Sequence, residues 1–154
     1  MEIIDKKSLL LNIHDEKYVK LELGCGSKKQ HDDTIGIDAL DYPCVDIVGD
    51  IFDVLKKMPD ETIHEIYSYH FFEHIDDLSK LVNELERVLV KKGKLKVVVP
   101  HFSNPYYYSD YTHKSQFGLY IQGNPSMLSR QARMYIQRLL PGLVSQGLKG
   151  FLYL

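Results

Sequence analysis

From Asp76 to Leu89, the residues Leu78, Leu81, Val82, Leu85, Val88 and Leu89 recur at i, i+3, i+4, i+7, i+10 and i+11, the apolar stripe of a single helix face. Asp76 and Asp77 suit the positive end of its dipole, Lys91 and Lys92 the negative end, and Gly93 a left-handed cap. Directly afterwards, Lys94 to Pro100 (KLKVVVP) reads as a strand apolar enough to be buried on both faces. An amphipathic helix leading into a doubly buried strand is half of a parallel crossover unit, and it restricts the chain to an α/β sheet. Four upstream runs bounded by Asp, Gly or Pro read as further strands: Tyr18 to Leu23, Thr34 to Asp38, Cys44 to Val48 and Thr62 to His70.

The 154 residues are 44% apolar, enough for one core, and a single domain over 1–154 is expected. No apolar run is long enough for a membrane span, and MEIIDKKSLLLNIHDEK is too charged for a signal peptide. Cys25 and Cys44 form neither a C-x-x-C pair nor a disulfide framework, which fits a reducing, cytoplasmic setting and argues against a structural zinc site. Net charge is −2, unevenly spread. All 21 acids lie at or before Asp110, against 14 Lys and Arg there, a net of −7, whereas the remainder carries Lys114, Arg130, Arg133, Arg138 and Lys149. A basic tail suits an anionic partner, but the acidic body disfavours nucleic acid.

In a parallel sheet, ligands bind beyond the C-terminal ends of the strands. Gly24-Cys25-Gly26, Asp38, Asp50, His70 and His101 all fall at or just past such ends and are expected to share one rim. The run ELGCGS (Glu22 to Ser27) has two glycines where the chain turns. A dinucleotide G-x-G-x-x-G would need a third glycine where Lys29 stands, and no G-x-x-x-x-G-K-S/T phosphate loop exists.

Taken together, ELGCGS, Asp38 closing IGID, Asp50 in GDIFD, and IHEIYSYHFFEHIDD followed by LERVLVKKGKLKVVVP resemble, in order, the motifs of small class I S-adenosylmethionine-dependent methyltransferases of the type 11 kind. The resemblance covers about residues 18–120. It implies a Rossmann-like, mostly parallel sheet and S-adenosyl-L-methionine as cofactor. It further implies cofactor contacts from Glu22, Gly24, Cys25, Gly26, Asp38 at the ribose, Asp50 near the adenine amino group, Ile51 and Phe52 beside the ring, and His70 near the methionine part. HFFEH (His70 to His74) also matches the inverted zinc-peptidase signature H-x-x-E-H. That site needs both histidines on one helix and a downstream acid, whereas His70 closes a strand and no acid follows Asp110, so no metal is expected.

The implied reaction is in-line methyl transfer to a small-molecule acceptor. Any base must come from this chain, and imidazole titrates in the right range. Among His70, His74, His101 and His113, the choice falls on His74 and His101. HFSNPYYYSDYTHKSQFGLY (101–120) carries seven aromatics around Asp110 and His113, with a turn at Asn104-Pro105, and is expected to be a loop that covers the acceptor or packs on itself. Two departures from the family stand out. About ten residues separate the first two strands, too few for a full crossover helix. Residues 121–154 form a divergent end with one expected helix, Ser126 to Leu140, and a short strand, Gly150 to Leu154, which leaves a sheet edge that favours a homodimer. The competing readings are a cofactor-binding module without turnover and a nucleic-acid methyltransferase using the basic tail.

Overall fold

The computed structural model describes residues 2–100, 108–115 and 117, and the backbone of a strand at 133–139. The elements run β1 (Ile4–Asp5), α1 (Leu9–Asn12), β2 (Val19–Leu23), β3 (Ile35–Asp38), β4 (Ile47–Val48), α2 (Ile51–Lys57), β5 (Ile63–Tyr69), α3 (Leu78–Val88), β6 (Leu89–Pro100) and β7 (Arg133–Leu139). They build a seven-stranded sheet in the order β1-β4-β3-β2-β5-β6-β7. Among the described strands only the β1–β4 pair is antiparallel. The expected mostly parallel α/β sheet is therefore present.

The core follows from the strand pattern. Leu21, Leu23, Ile37, Ile47, Ile63, Ile66, Leu95 and Val97 are buried, and Val54, Leu55, Leu81, Leu85 and Val88 of α2 and α3 pack against them. Arg87 of α3 ties the two helices together. Its guanidinium donates to Leu55 O (2.8 Å), which also accepts from the cap N–H of Met58 (2.9 Å), and to Met58 O (3.0 Å) at the end of α2.

Several expectations are corrected. Helix α2 was not foreseen, although Asp50 caps it and Ile51, Val54, Leu55 and Met58 have helical spacing. The strand expected from Cys44 shortens to Ile47–Val48. The left-handed residue after α3 is Lys92 (φ 67°), not Gly93. Gly93 is needed for space instead, since a Cβ there would lie 2.9 Å from both Leu89 Cδ2 and Val90 O. The helix expected over Ser126 to Leu140 is a strand across 133–139, parallel to β6 from Lys94↔Arg133 to Pro100↔Leu139. Pairing with the open edge of a doubly buried strand satisfies a row of backbone groups that a helix would leave unpaired, and this outweighs the helical spacing. Residues 126–132 and 140, and the strand expected at Gly150 to Leu154, lie outside the described residues.

One polar network sits on the sheet itself. Glu65, buried on β5, accepts from Tyr18 Oη (2.9 Å) and Lys94 Nζ (3.0 Å) at one oxygen and from Tyr67 Oη at the other. Burial opposes its ionisation, but the bonds from Tyr67, Lys94 and Tyr18 outweigh that and hold its pKa at about 2. A carboxyl depressed in the folded state contributes stability above its unfolded pKa and loses it as pH falls toward the folded value. Glu65→Gln is therefore expected to cost on the order of 2 kcal/mol near neutrality and to flatten the loss of stability between about pH 4.5 and pH 2, read by urea denaturation across that range. An unchanged acid limb would show that the network contributes nothing.

Candidate functional site

The connection from β2 to β3, residues 24–34, contains no helix. Two buried carboxylates hold it in place. Glu22, 1% exposed on β2, accepts from Gln30 N (2.7 Å) and His31 N (3.1 Å), with Thr34 Oγ1 at 3.5 Å. Asp46 accepts from Lys29 Nζ (2.9 Å), Lys7 Nζ (2.7 Å) and Gly36 N (2.9 Å). Burial works against the Asp46 anion, but these donors prevail and lower its pKa. Glu22 thus shapes the loop from below and faces the backbone of 30–31.

Above it, Gly24 (φ +62°) and Gly26 (φ +59°) both adopt left-handed backbone. A Cβ on Gly24 would lie 2.5 Å from the Phe71 ring, whereas one on Gly26 would meet nothing within 4 Å. Gly24 is the position where β5's extension closes on the first loop, and Gly26 is the position left open to a ligand. Between them Cys25 is buried, and desolvation pushes its thiol up to about 12, so it is an inert wall. Gly26 N donates to Asp38 Oδ2 (2.8 Å), and Leu40 N donates to Asp38 Oδ1 (2.9 Å). A carboxylate has about four acceptor sites, so Asp38 keeps capacity for hydroxyl donors. Asp50 Oδ1 accepts from Phe52 N (3.0 Å) and Asp53 N (3.2 Å) as the cap of α2. That cap sets Ile51 into the core and places Phe52 under Lys80, whose Nζ lies 4.5 Å from the ring centroid.

His70 follows β5 directly, exposed, with left-handed backbone (φ 53°) and its N–H donating to Val98 O (2.9 Å). Phe72 to His74 form a 3-10 turn, and α3 begins at Leu78 with Asp77 as its cap. Glu73 is 1% exposed, and neither carboxylate oxygen has a hydrogen-bond partner among the described residues. His70 Nδ1 stands 3.4 Å from Glu73 Oε1. The segment 110–115 folds over this turn. Lys114 N (2.7 Å) and Ser115 N (3.2 Å) donate to Glu73 O, and the His74 and His113 rings lie 4.9 Å apart.

Gly24 to Gly26, Asp38, Asp50 and His70 thus sit at the C-terminal ends of the neighbouring strands β4, β3, β2 and β5. The crevice between β2 and β5, where the strand order reverses, is the place such sheets bind ligands. His101, the Asn104-Pro105 turn and the aromatics at 102, 106, 107 and 120 lie outside the described residues. Of the remaining aromatics, Tyr111 is 97% exposed and Phe117 is in the core. Phe71, Lys80 and the partnership of Glu73 with His113 were not foreseen. No spacing rule links residues 73 and 113, although the aromatics around Asp110 and His113 and the turn at Asn104-Pro105 signalled a loop there.

Residues 27–97 match the family model described as "Methyltransferase domain". A solved structure, a SAM dependent methyltransferase from Archaeoglobus fulgidus, is similar at a TM-score of 0.57 and 20% sequence identity, over 71% of this chain and 58% of that chain. The chain therefore spans a little over half the length of that structure. No curated protein matches.

The two glycines should respond differently to the same substitution. Gly24→Ala is expected to cost about 2–5 kcal/mol, combining left-handed strain with a clash against the Phe71 ring. Gly26→Ala should cost about 1–2 kcal/mol, for strain alone. Equal losses in chemical denaturation would refute the assignment of Phe71 as the lid on Gly24.

Proposed function

For a chain that carries a methyltransferase-family segment at 27–97 within a class I methyltransferase fold, we propose that it binds S-adenosyl-L-methionine and transfers its methyl group to a small-molecule acceptor. The observation that carries this reading is the junction of the first loop with β3. Gly26 presents open space at a left-handed turn, and its own N–H fixes the carboxylate of Asp38 beside that space. Such a carboxylate pairs with vicinal hydroxyls of a ribose. Glu22 acts through the loop, and Gly24 and Cys25 form its wall. Asp50, Ile51 and Phe52 bound the adenine end, and His70 bounds the methionine end.

When bound, the cofactor supplies an activated methyl on a sulfonium, which an acceptor attacks in line. The protein's part is to hold the acceptor about 3–3.5 Å from that carbon, to exclude water and to take up a proton where the acceptor carries one. His74 and His101 are the proposed proton acceptors, and His74 is held by Thr112 Oγ1 at 2.9 Å from its Nδ1. The acidic body, net −7 through Asp110, favours a small acceptor over nucleic acid.

Among the described residues no helix is long and apolar enough to cross a membrane. With both cysteines free, a cytoplasmic setting is part of the proposal, as are a single domain over 1–154 and a homodimer through the sheet edge. Sedimentation showing only monomer would remove the dimer.

Calorimetric titration with S-adenosylmethionine and its demethylated product should give micromolar binding, weakened about tenfold or more by Asp38→Ala, which removes both a ribose acceptor and the bond to Gly26 (~1.4 kcal/mol or more). A folded protein that binds neither compound would overturn the reading. Tight binding with no transfer across a broad acceptor screen would instead indicate a module without turnover.

A further inference from the structure

The least satisfied group among the described residues is the Glu73 carboxylate. It is 1% exposed, both of its oxygens lack a hydrogen-bond partner there, and the His70 Nδ1 at 3.4 Å from Oε1 stands beyond hydrogen-bonding geometry, although burying a carboxylate without hydrogen bonds is costly. Its surroundings are imidazoles. One ligand-capable atom from each of Glu73, His74 and His113 lies within 4.8 Å of the other two. We propose that Glu73, His74 and His113 form a binding site for a divalent transition-metal ion of the zinc class.

The chemistry of the donors selects the ion. Two imidazoles and one carboxylate suit zinc and its first-row neighbours, whereas magnesium and calcium prefer oxygen donors alone. Ligands at about 2.1 Å from a tetrahedral ion stand roughly 3.4 Å apart. From separations of up to 4.8 Å the trio therefore needs to close by up to about 1.4 Å, which side-chain rotation supplies. Supporting contacts of the kind that orient ligands are in place. Thr112 holds His74 Nδ1 from Oγ1 (2.9 Å) and O (3.3 Å), and Asp110 Oδ2 lies 3.7 Å from His113 Nε2. Asp110 Oδ1 in turn accepts from Thr112 N (2.9 Å) and from the Thr112 hydroxyl. The backbone bonds from Lys114 and Ser115 to Glu73 O clamp the loop that carries His113 onto the turn that carries the other two.

This site differs from the inverted zinc-peptidase pattern. His70, the first residue of H-x-x-E-H, is not one of the three ligands, and His113 comes from a segment 39 positions beyond His74. The expectation of no metal rested on the failure of that pattern and on the unpaired spacing of Cys25 and Cys44, neither of which bears on a ligand set drawn from two separate segments. Three protein ligands leave one coordination position open, as in sites that polarise a bound oxygen. Cation binding itself is independent of the methyl-transfer reading. It touches that reading at one point: a ligated His74 would no longer take a proton, and the ion would instead lower the pKa of a bound acceptor oxygen, whose proton would pass to solvent.

The test is titration of the full chain, stripped by chelator, with Zn²⁺ alone, for wild type and for His113→Ala, His74→Ala, Glu73→Gln and His14→Ala, each shown folded by circular dichroism. One Zn²⁺ per chain is expected. His113→Ala and His74→Ala should weaken it by at least the roughly 10- to 100-fold that losing an outer-shell partner costs, and His14→Ala should leave it unchanged. Co²⁺ in place of Zn²⁺ should give the visible absorption of a four-coordinate ion, lost in His113→Ala. Because Glu73 is buried, Glu73→Gln is scored only if folded, and the two histidine variants carry the test without it. No Zn²⁺ uptake, uptake indifferent to both histidine variants, or Mg²⁺ binding as tight as Zn²⁺ would overturn the proposal. Cofactor bound without zinc would overturn this inference alone, and zinc bound without cofactor would overturn the previous reading alone.

Discussion

A carboxylate beneath a loop governs the shape of this molecule. Glu22 is almost wholly withdrawn from water and is made tolerable by the backbone N–H groups of Gln30 and His31. Those bonds turn a stretch too short for a crossover helix into a fixed path from β2 to β3. Asp46 performs the same service from the other side through Lys29 and Gly36. With the loop so fixed, Ile37 O receives Gly24 N (2.9 Å), and Asp38 Oδ2 receives Gly26 N. The rim geometry is therefore a consequence of two buried anions, and removing either would free the loop before it touched any ligand.

The same economy of chain decides what the rim favours. Sites for phosphate in α/β sheets usually place the anion at the N-terminus of the helix after the first strand, where unpaired N–H groups and the helix dipole converge. Here no helix follows β2, and the N–H of Gly26 is already given to a carboxylate. An anion at that turn would face Asp38 rather than free donors. The arrangement instead rewards hydroxyl and amine donors, which separates it on physical grounds from the dinucleotide and phosphate-loop sites that share a glycine-rich turn.

What could be read from the sequence divides along the same line. β2, β3, β5, the α3–β6 unit and the strand-end positions of Gly24, Asp38, Asp50 and His70 were legible, because alternation, helical periodicity and bounding glycines are local signals. Helix α2 was legible in principle from the cap at Asp50 and the spacing of Ile51, Val54, Leu55 and Met58, but reading Asp50 for a ligand hid it. The strand at 133–139 was not legible from its own residues, since its partner is the open edge of β6 and that information lies outside the segment. Glu22 illustrates a subtler limit. Its position in the first motif was evident, whereas its direction, inward to residues 30 and 31, follows from how far the chain must return.

The pentapeptide His70 to His74 shows how closely the two halves of the rim are joined. His70 adopts a left-handed backbone that costs a non-glycine residue of order 1 kcal/mol or more, offset in part by the bond from its N–H to Val98 O. That turn swings Phe71 over Gly24, where no side chain would fit, and sends Phe72 into the core. Glu73 and His74 are then presented to the segment 110–115. Five consecutive residues thus close the first loop, anchor the end of β5 and build the floor of a second polar cluster. A change at Phe71 or His70 would consequently be felt at Gly24 and at His113 alike, although neither is its neighbour in sequence.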